Sequence, residues 1–138
     1  MTEGDGAANG STGVLICDDV ESVRALLAMI VRRRPGMCVV GEAEDGEHAI
    51  AEAQRLQPEV ILLDLSMPRK TGLEALPEIR RVAPNAKVVV LSGFAESMLA
   101  SDVLAQGAHR YLEKGVHPNV IAAAIEEAAA APTERSEA

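Results

Sequence analysis

The sequence predicts an α/β protein: a five-stranded parallel sheet, doubly wound, with helices on both faces. Three observations carry this prediction. Short β-branched runs alternate five times with longer segments in which apolar residues recur at helical spacing. The short runs are mostly continuously apolar rather than alternating, which is how strands covered on both faces read. Proline and glycine punctuate the junctions.

The elements follow in order. Val14–Cys17 is the first strand, and Val23, Leu26, Leu27 and Ile30 form the apolar stripe of the first helix, which Pro35-Gly36 ends. Met37–Ala43 is the second strand, followed by a helix with Ala49, Ile50, Ala53 and Leu56 on its buried side. The third strand is Val60–Leu63, and its helix carries Leu73, Leu76, Ile79 and Val82. Thr71 and Glu74 have capping-box spacing at the start of that helix. Pro77 lacks the amide that would bond back to the Leu73 carbonyl, so a kink or a late start is expected there. Pro84-Asn85 follows this helix. Lys87–Leu91 is the fourth strand, with Leu99 and Val103 in its helix and Gly107 after it. The fifth strand is His109–Leu112, and Pro118 opens a helix with Ile121, Ala124, Ile125 and Ala128 inward.

At 138 residues the chain is expected to form one domain, residues 14–131. Residues 1–13 and 132–138 contain little that a core could bury and are expected to be disordered tails. The core must be aliphatic, because Phe94 and Tyr111 are the only aromatics. A net charge of −8 deprives polyanion binding of its main electrostatic contribution, which argues against direct nucleic-acid or acidic-membrane partners. The longest uninterrupted apolar run, Ala25–Val31, is far short of the roughly 20 residues that span a bilayer. No basic segment followed by an apolar stretch opens the chain, and a cytoplasmic location is expected. Cys17 and Cys38 read as two buried thiols, and His48, His109 and His117 are scattered singly, with no spacing for zinc.

In an open doubly wound sheet the functional crevice lies beyond the carboxyl ends of the strands, where strand order reverses. Those ends carry Asp18-Asp19 after the first strand, Asp64 after the third, Ser92 after the fourth and Lys114 just past the fifth. Each has an ordinary structural reading: Asp18 or Asp19 as a cap of the first helix, Ser92 as a cap of the fourth, Lys114 as a solvated charge. Asp64 resists such a reading, because a wholly apolar strand ends on it and Leu65 follows directly. Three carboxylates brought together repel unless a cation sits among them, and an all-oxygen cluster suits Mg²⁺. A carboxylate can also accept a phosphoryl group, with a metal, a lysine and a hydroxyl neutralising the incoming charge. No Gly-rich dinucleotide or P-loop pattern and no Gly-x-Ser-x-Gly elbow is present.

With these residues in view, the chain resembles the receiver domain of bacterial two-component response regulators, most of all the NarL/FixJ subfamily of the CheY-like superfamily. The resemblance runs from about Val14 to Ala128. It rests on the acidic pair in Val-Leu-Ile-Cys-Asp-Asp, on Asp64-Leu-Ser-Met-Pro68 with Gly72-Leu-Glu, on Leu91-Ser92-Gly93, on Gly107-Ala108 before Tyr111-Leu-Glu-Lys114, and on Pro118. It implies the flavodoxin-like strand order 2-1-3-4-5. It further implies that Asp64 accepts a phosphoryl group from a sensor histidine kinase or phosphotransfer protein. Asp18 and Asp19 would hold Mg²⁺ together with Asp64 and the main-chain carbonyl of Ser66, while Lys114 and the Ser92 hydroxyl would contact phosphoryl oxygens. Tyr111 is similar to the family's switch aromatic, coupled through Ser92 to the face formed by the fourth helix, fifth strand and fifth helix. A downstream protein or a second copy would bind that face. Such a protein is a phosphoacceptor that assists its own phosphorylation and dephosphorylation rather than an enzyme acting on a separate substrate.

Gly115 follows Lys114 where many members have proline, so no cis bond is implied at that place. NarL/FixJ members usually continue into a helix-turn-helix effector, whereas this chain stops seven residues after Ala131. Two other readings are weaker. A Mg²⁺-dependent phosphatase with Asp64 as nucleophile would need a second aspartate two positions on, where Ser66 stands. A degenerate receiver acting only as a binding module would lack part of the acceptor set, and none is missing. Ser66 and Phe94 occupy the positions that flank the approach of a hydrolytic water in the family, and Phe94 is expected either to shield the site or to pack under the fourth helix.

Overall fold

A computed structural model of the protein describes residues 11–93 and 98–132, so the expectation for Phe94 lies outside the described residues. Five strands and five helices alternate: β1 (Thr12–Cys17), α1 (Glu21–Arg32), β2 (Met37–Ala43), α2 (Gly46–Leu56), β3 (Val60–Asp64), α3 (Gly72–Val82), β4 (Lys87–Ser92), α4 (Ala100–Ala105), β5 (Arg110–Glu113) and α5 (Pro118–Ala130). All strand pairs are parallel, in the order β2-β1-β3-β4-β5. The chain therefore builds outward from β1 in one direction, returns across it, and continues in the other. The reversal falls between β1 and β3.

Side-chain alternation along the strands divides the core into two. Leu15, Cys17, Ile61, Leu63, Val88 and Val90 face α2, α3 and α4, which contribute Ala49, Ala53, Leu76, Ile79 and Val103. Val14, Ile16, Val60, Leu62, Val89 and Leu91 face α1 and α5, which contribute Leu27, Val31, Ile121 and Ile125. Burying a Val, Leu or Ile contributes about 1.5–3 kcal/mol, so the three central strands, sealed on both faces, dominate stability. Small residues on α2 and α5 let these helices lie close to the sheet.

Several local features depart from the sequence expectations. β1 starts at Thr12 rather than Val14, because neighbouring chain supplies partners: Thr12 N donates to Gly36 O at 2.7 Å, and Glu59 N donates to Gly13 O at 3.0 Å. Thr12 and Gly13, expected in the 1–13 tail, thus belong to β1. Leu26 is 51% exposed, while Ala28 joins Leu27, Ile30 and Val31 in the stripe. Cys38 is half-buried, since β2 is an edge strand and is covered less than β1, which buries Cys17. The register of β1 on β2 shifts at Val40, which has no partner between the pairs Val14–Val39 and Leu15–Gly41.

α3 begins at Gly72 with no late start, and Pro77 lies inside it. The capping box accounts for the early start: Thr71 Oγ accepts from Glu74 N at 3.1 Å, and Glu74 Oε1 accepts from Thr71 N at 3.0 Å. Pro118 is in the first turn of α5, and the His117 Nδ1 accepts from Asn119 N at 3.0 Å. No helix among the described residues is long and apolar enough to cross a membrane.

Candidate functional site

β1 and β3 end side by side at the point of reversal, and their last residues set the site. Cys17 pairs with Leu63, so Asp18 and Asp64 leave adjacent strands at the same level. Asp18 and Asp64 are 1% and 3% exposed, whereas Asp19 is exposed. One carboxylate oxygen from each of the three lies within 4.8 Å of the others. Lys114, just beyond β5, brings its Nζ to 2.8 Å from Asp18 Oδ2 and 3.2 Å from Asp64 Oδ1.

The ordinary structural readings of these residues do not hold. The cap residue of α1 is Val20, without a side-chain cap bond, and Asp18 Oδ1 instead accepts from Val20 N at 2.9 Å. Leu99 rather than Ser92 precedes α4. Lys114 is paired rather than solvated. Ser92 is fully buried at the end of β4, one residue past the partner of Asp64, and its carbonyl accepts from Lys114 N at 2.9 Å. Its Oγ lies 3.4 Å from the Gly93 carbonyl, a long and weak hydrogen bond. Ser66 N donates to Asp64 Oδ1 at 3.3 Å. The Tyr111 ring packs on the α2–α3–α4 side of the sheet, with its hydroxyl buried and without a hydrogen-bond partner among the described residues.

The electrostatics follow from this geometry. Burial first, and the Asp18 charge second, push the Asp64 carboxyl up to about 6, against the opposing effects of Lys114 and the Ser66 amide. Partial burial works against the Lys114 charge, yet the close contact with Asp18 and the nearby Asp64 charge outweigh it and raise its pKa. Burial pushes the Cys17 thiol far above its ordinary range, and the charges of Asp18 and Glu52 add to this.

Three acids with one ammonium leave the cluster short of positive charge. Lys114 Nζ lies close to Asp18 Oδ2 but not in a hydrogen-bonding direction, so that buried oxygen has a charge contact and no hydrogen bond. A buried, unbonded carboxylate oxygen beside two other carboxylates, with Asp19 open to solvent, fits a hard divalent cation that keeps some of its waters. The donor set is all oxygen, as Mg²⁺ requires.

The loop after Asp64 is held very close to its strand. A Cβ on Gly72 would overlap the Asp64 carbonyl oxygen, and Gly72 N donates to Leu65 O at 3.0 Å. Only glycine allows the chain to return so closely. Three side chains around the site were not legible in the sequence: Arg24, Asp45 and Arg69. A lone arginine on a helix or in a loop reads as a solvated charge, and nothing in the residue pattern pairs it with a distant acid.

Fold and site together define a class, the doubly wound α/β proteins with an acidic centre at the carboxyl edge of the sheet. Within it, the chain belongs to the response regulator receiver domain family, whose pattern matches residues 14–126. It is 31% identical over 112 residues to the chemotaxis protein CheY of Thermotoga maritima, covering 81% of this chain and 92% of that protein. It is 36% identical over 125 residues to the nitrate/nitrite response regulator protein NarL of Escherichia coli, covering 91% of this chain and 58% of that one. The chain thus spans nearly all of the first relative and little more than half of the second. The crystal structure of the response regulator domain of Thermotoga maritima CheB superposes with a TM-score of 0.82 at 29% identity, covering 88% of this chain and 98% of that one. The chain is a receiver domain of the kind that acts as a phosphorylation-dependent switch in two-component signalling.

Proposed function

We propose that Asp64 is the phosphoacceptor of this receiver, with Mg²⁺ held by Asp18, Asp19, Asp64 and the main-chain carbonyl of Ser66. The observation that carries the reading is the position of Lys114, whose ammonium lies within 3.2 Å of both buried carboxylates at the carboxyl edge of the sheet. An Asp64 oxygen attacks phosphorus in line as the donor's N–P bond breaks, and the electron pair stays with the departing imidazole nitrogen. Bound Mg²⁺ supplies charge neutralisation for the transferring group. Lys114, detached from Asp64 Oδ1, pairs with a phosphoryl oxygen, and the buried Ser92 hydroxyl turns from Gly93 toward another.

Tyr111 supports a switch at this site. Its buried hydroxyl lacks a partner, so a rearranged neighbour that offers one would favour a second ring position. Movement of Ser92 toward the phosphoryl group provides such a rearrangement, and the α4–β5–α5 face would present the change to a protein partner or a second copy. The phosphodonor is a phosphohistidine on a sensor kinase or phosphotransfer protein, and the chain's location is cytoplasmic.

Incubation with acetyl phosphate and Mg²⁺, followed by intact-mass measurement, tests the acceptor. One added phosphoryl group is expected in the native chain and none in Asp64→Asn. Phosphorylation of the Asn variant to the same extent would refute the assignment.

A further inference from the structure

The end of β2 and the start of α2 supply no ligand to the acidic centre, yet an acid of each takes an arginine: Glu42 pairs with Arg24 of α1, and Asp45 with Arg69 of the loop after Asp64. Glu42, near the end of β2, accepts from Arg24 Nε at 3.0 Å. The same guanidinium donates from Nη1 to the Asp18 main-chain carbonyl at 2.7 Å, and its side chain is only 14% exposed. Asp18 N donates in turn to Ala43 O at 3.0 Å. The turn bearing Asp18 and Asp19 is therefore tied to the β2 end twice, directly through the Asp18 amide and by way of Arg24.

The second loop is tied in a parallel manner. Asp45 caps α2 by accepting from His48 N with Oδ1 at 2.8 Å, and its other oxygen accepts from Arg69 Nε at 3.0 Å. Arg69 adopts a φ of 65°, a left-handed conformation uncommon for a residue with a Cβ. Beside it, Gly46 lies so close to the Lys70 carbonyl that a Cβ there would overlap it. The loop after Asp64 is thus closed back on β3 at Gly72 and held to the start of α2 at Arg69 and Lys70.

We propose that the end of β2 and the start of α2, residues 42–46, form the positioning element of the acidic centre, holding the Asp18–Asp19 turn through Arg24 and the Asp64 loop through Arg69. The inference rests on the reading of Asp18, Asp19 and Asp64 as cation ligands. Mg²⁺ demands near-ideal octahedral geometry, so a ligand loop free to drift binds it less well. The Arg24–Glu42 and Arg69–Asp45 pairs each have a partly exposed member and add little to folding, so their loss leaves the fold intact while releasing the loops.

The test uses the full chain with Arg24→Met, Arg69→Asn, Arg69→Lys and Asp45→Asn. Met keeps the length of the arginine stem, and Asn at position 69 tolerates the left-handed backbone. In Asp45→Asn the side-chain amide oxygen can still accept from His48 N. Mg²⁺ binding is measured by calorimetry, and amide hydrogen exchange at Val20 and Gly72 is followed without cation. A loss of about tenfold in Mg²⁺ affinity is expected for Arg24→Met, Arg69→Asn and Asp45→Asn, with Arg69→Lys retaining most of it. Exchange is expected to quicken at Val20 in Arg24→Met and at Gly72 in Arg69→Asn.

A purely structural role would lower the melting temperature and leave both the affinity of the folded protein and the local exchange unchanged, and that result overturns the proposal. Should the native chain itself fail to bind Mg²⁺, the ligand reading falls, and exchange in the cation-free protein still decides the positioning role: faster exchange supports it and unchanged exchange overturns it.

Discussion

Replacing Asp64 by Asn stabilises the cation-free protein near pH 7.5, even though it weakens a contact with Lys114. Burial and the Asp18 charge raise the Asp64 carboxyl from 3.8 to about 6, so the folded state holds that proton more tightly than the unfolded chain. Stability therefore falls as pH rises from about 4 to about 6 and is fully reduced above that window. At 1.36 kcal/mol per unit, the shift corresponds to about 3 kcal/mol, the ceiling on what removing the charge returns. In a domain of this size that is a rise of up to roughly 10 °C in melting temperature. Thermal unfolding of both proteins followed by circular dichroism in a chelator, at pH 7.5 and near pH 4, measures it. The Asn variant should melt several degrees higher at pH 7.5, and its advantage should shrink to under about 1 kcal/mol near pH 4, where the native Asp64 is already neutral. No advantage at pH 7.5, or one of equal size at both pH values, would refute the reasoning.

Tyr111→Phe removes a buried hydroxyl that has no partner, and chemical denaturation should show a gain of about 1 kcal/mol; a loss would mean that the hydroxyl is bonded in solution. Gly72→Ala forces a Cβ into the Asp64 carbonyl, so a loss of about 3 kcal/mol or more, together with weakened Mg²⁺ binding by calorimetry, is expected. Thr71→Ala removes the side-chain half of the capping box, leaving the residue-71 amide on Glu74, and should cost about 1 kcal/mol in urea unfolding without moving Mg²⁺ affinity.

The alternation of apolar runs was enough to locate all five strands and their order along the chain, because strands sealed on both faces have a composition that helices do not share. Residues at strand ends were legible for the same reason: Asp64 stands out only against Val60–Leu63. What escaped depends on partners distant in sequence. Thr12 and Gly13 join β1 because of Gly36 and Glu59, and the misfit at Val40 arises only when β1 and β2 lie side by side. Edge position, not local composition, leaves Cys38 half-covered. Pro77 does not delay the start of α3, since a strong cap at Thr71 and the packing of Leu76 and Ile79 hold the helix despite one missing hydrogen bond. The pairs Arg24–Glu42 and Arg69–Asp45 join residues 18 and 24 positions apart, beyond the reach of any helical or strand period.

Cys17 has a consequence beyond packing. Its sulfur sits in an interior strand, one residue before the acidic centre, and stays protonated because burial and the neighbouring carboxylates both oppose the thiolate. Alkylating reagents react with thiolates, so Cys17 is closed to them in the folded molecule and becomes modifiable when β1 leaves the sheet. Labelling at Cys17 therefore counts opening events of β1, and cation binding at the adjacent carboxylates should slow that count in proportion to the stability it adds.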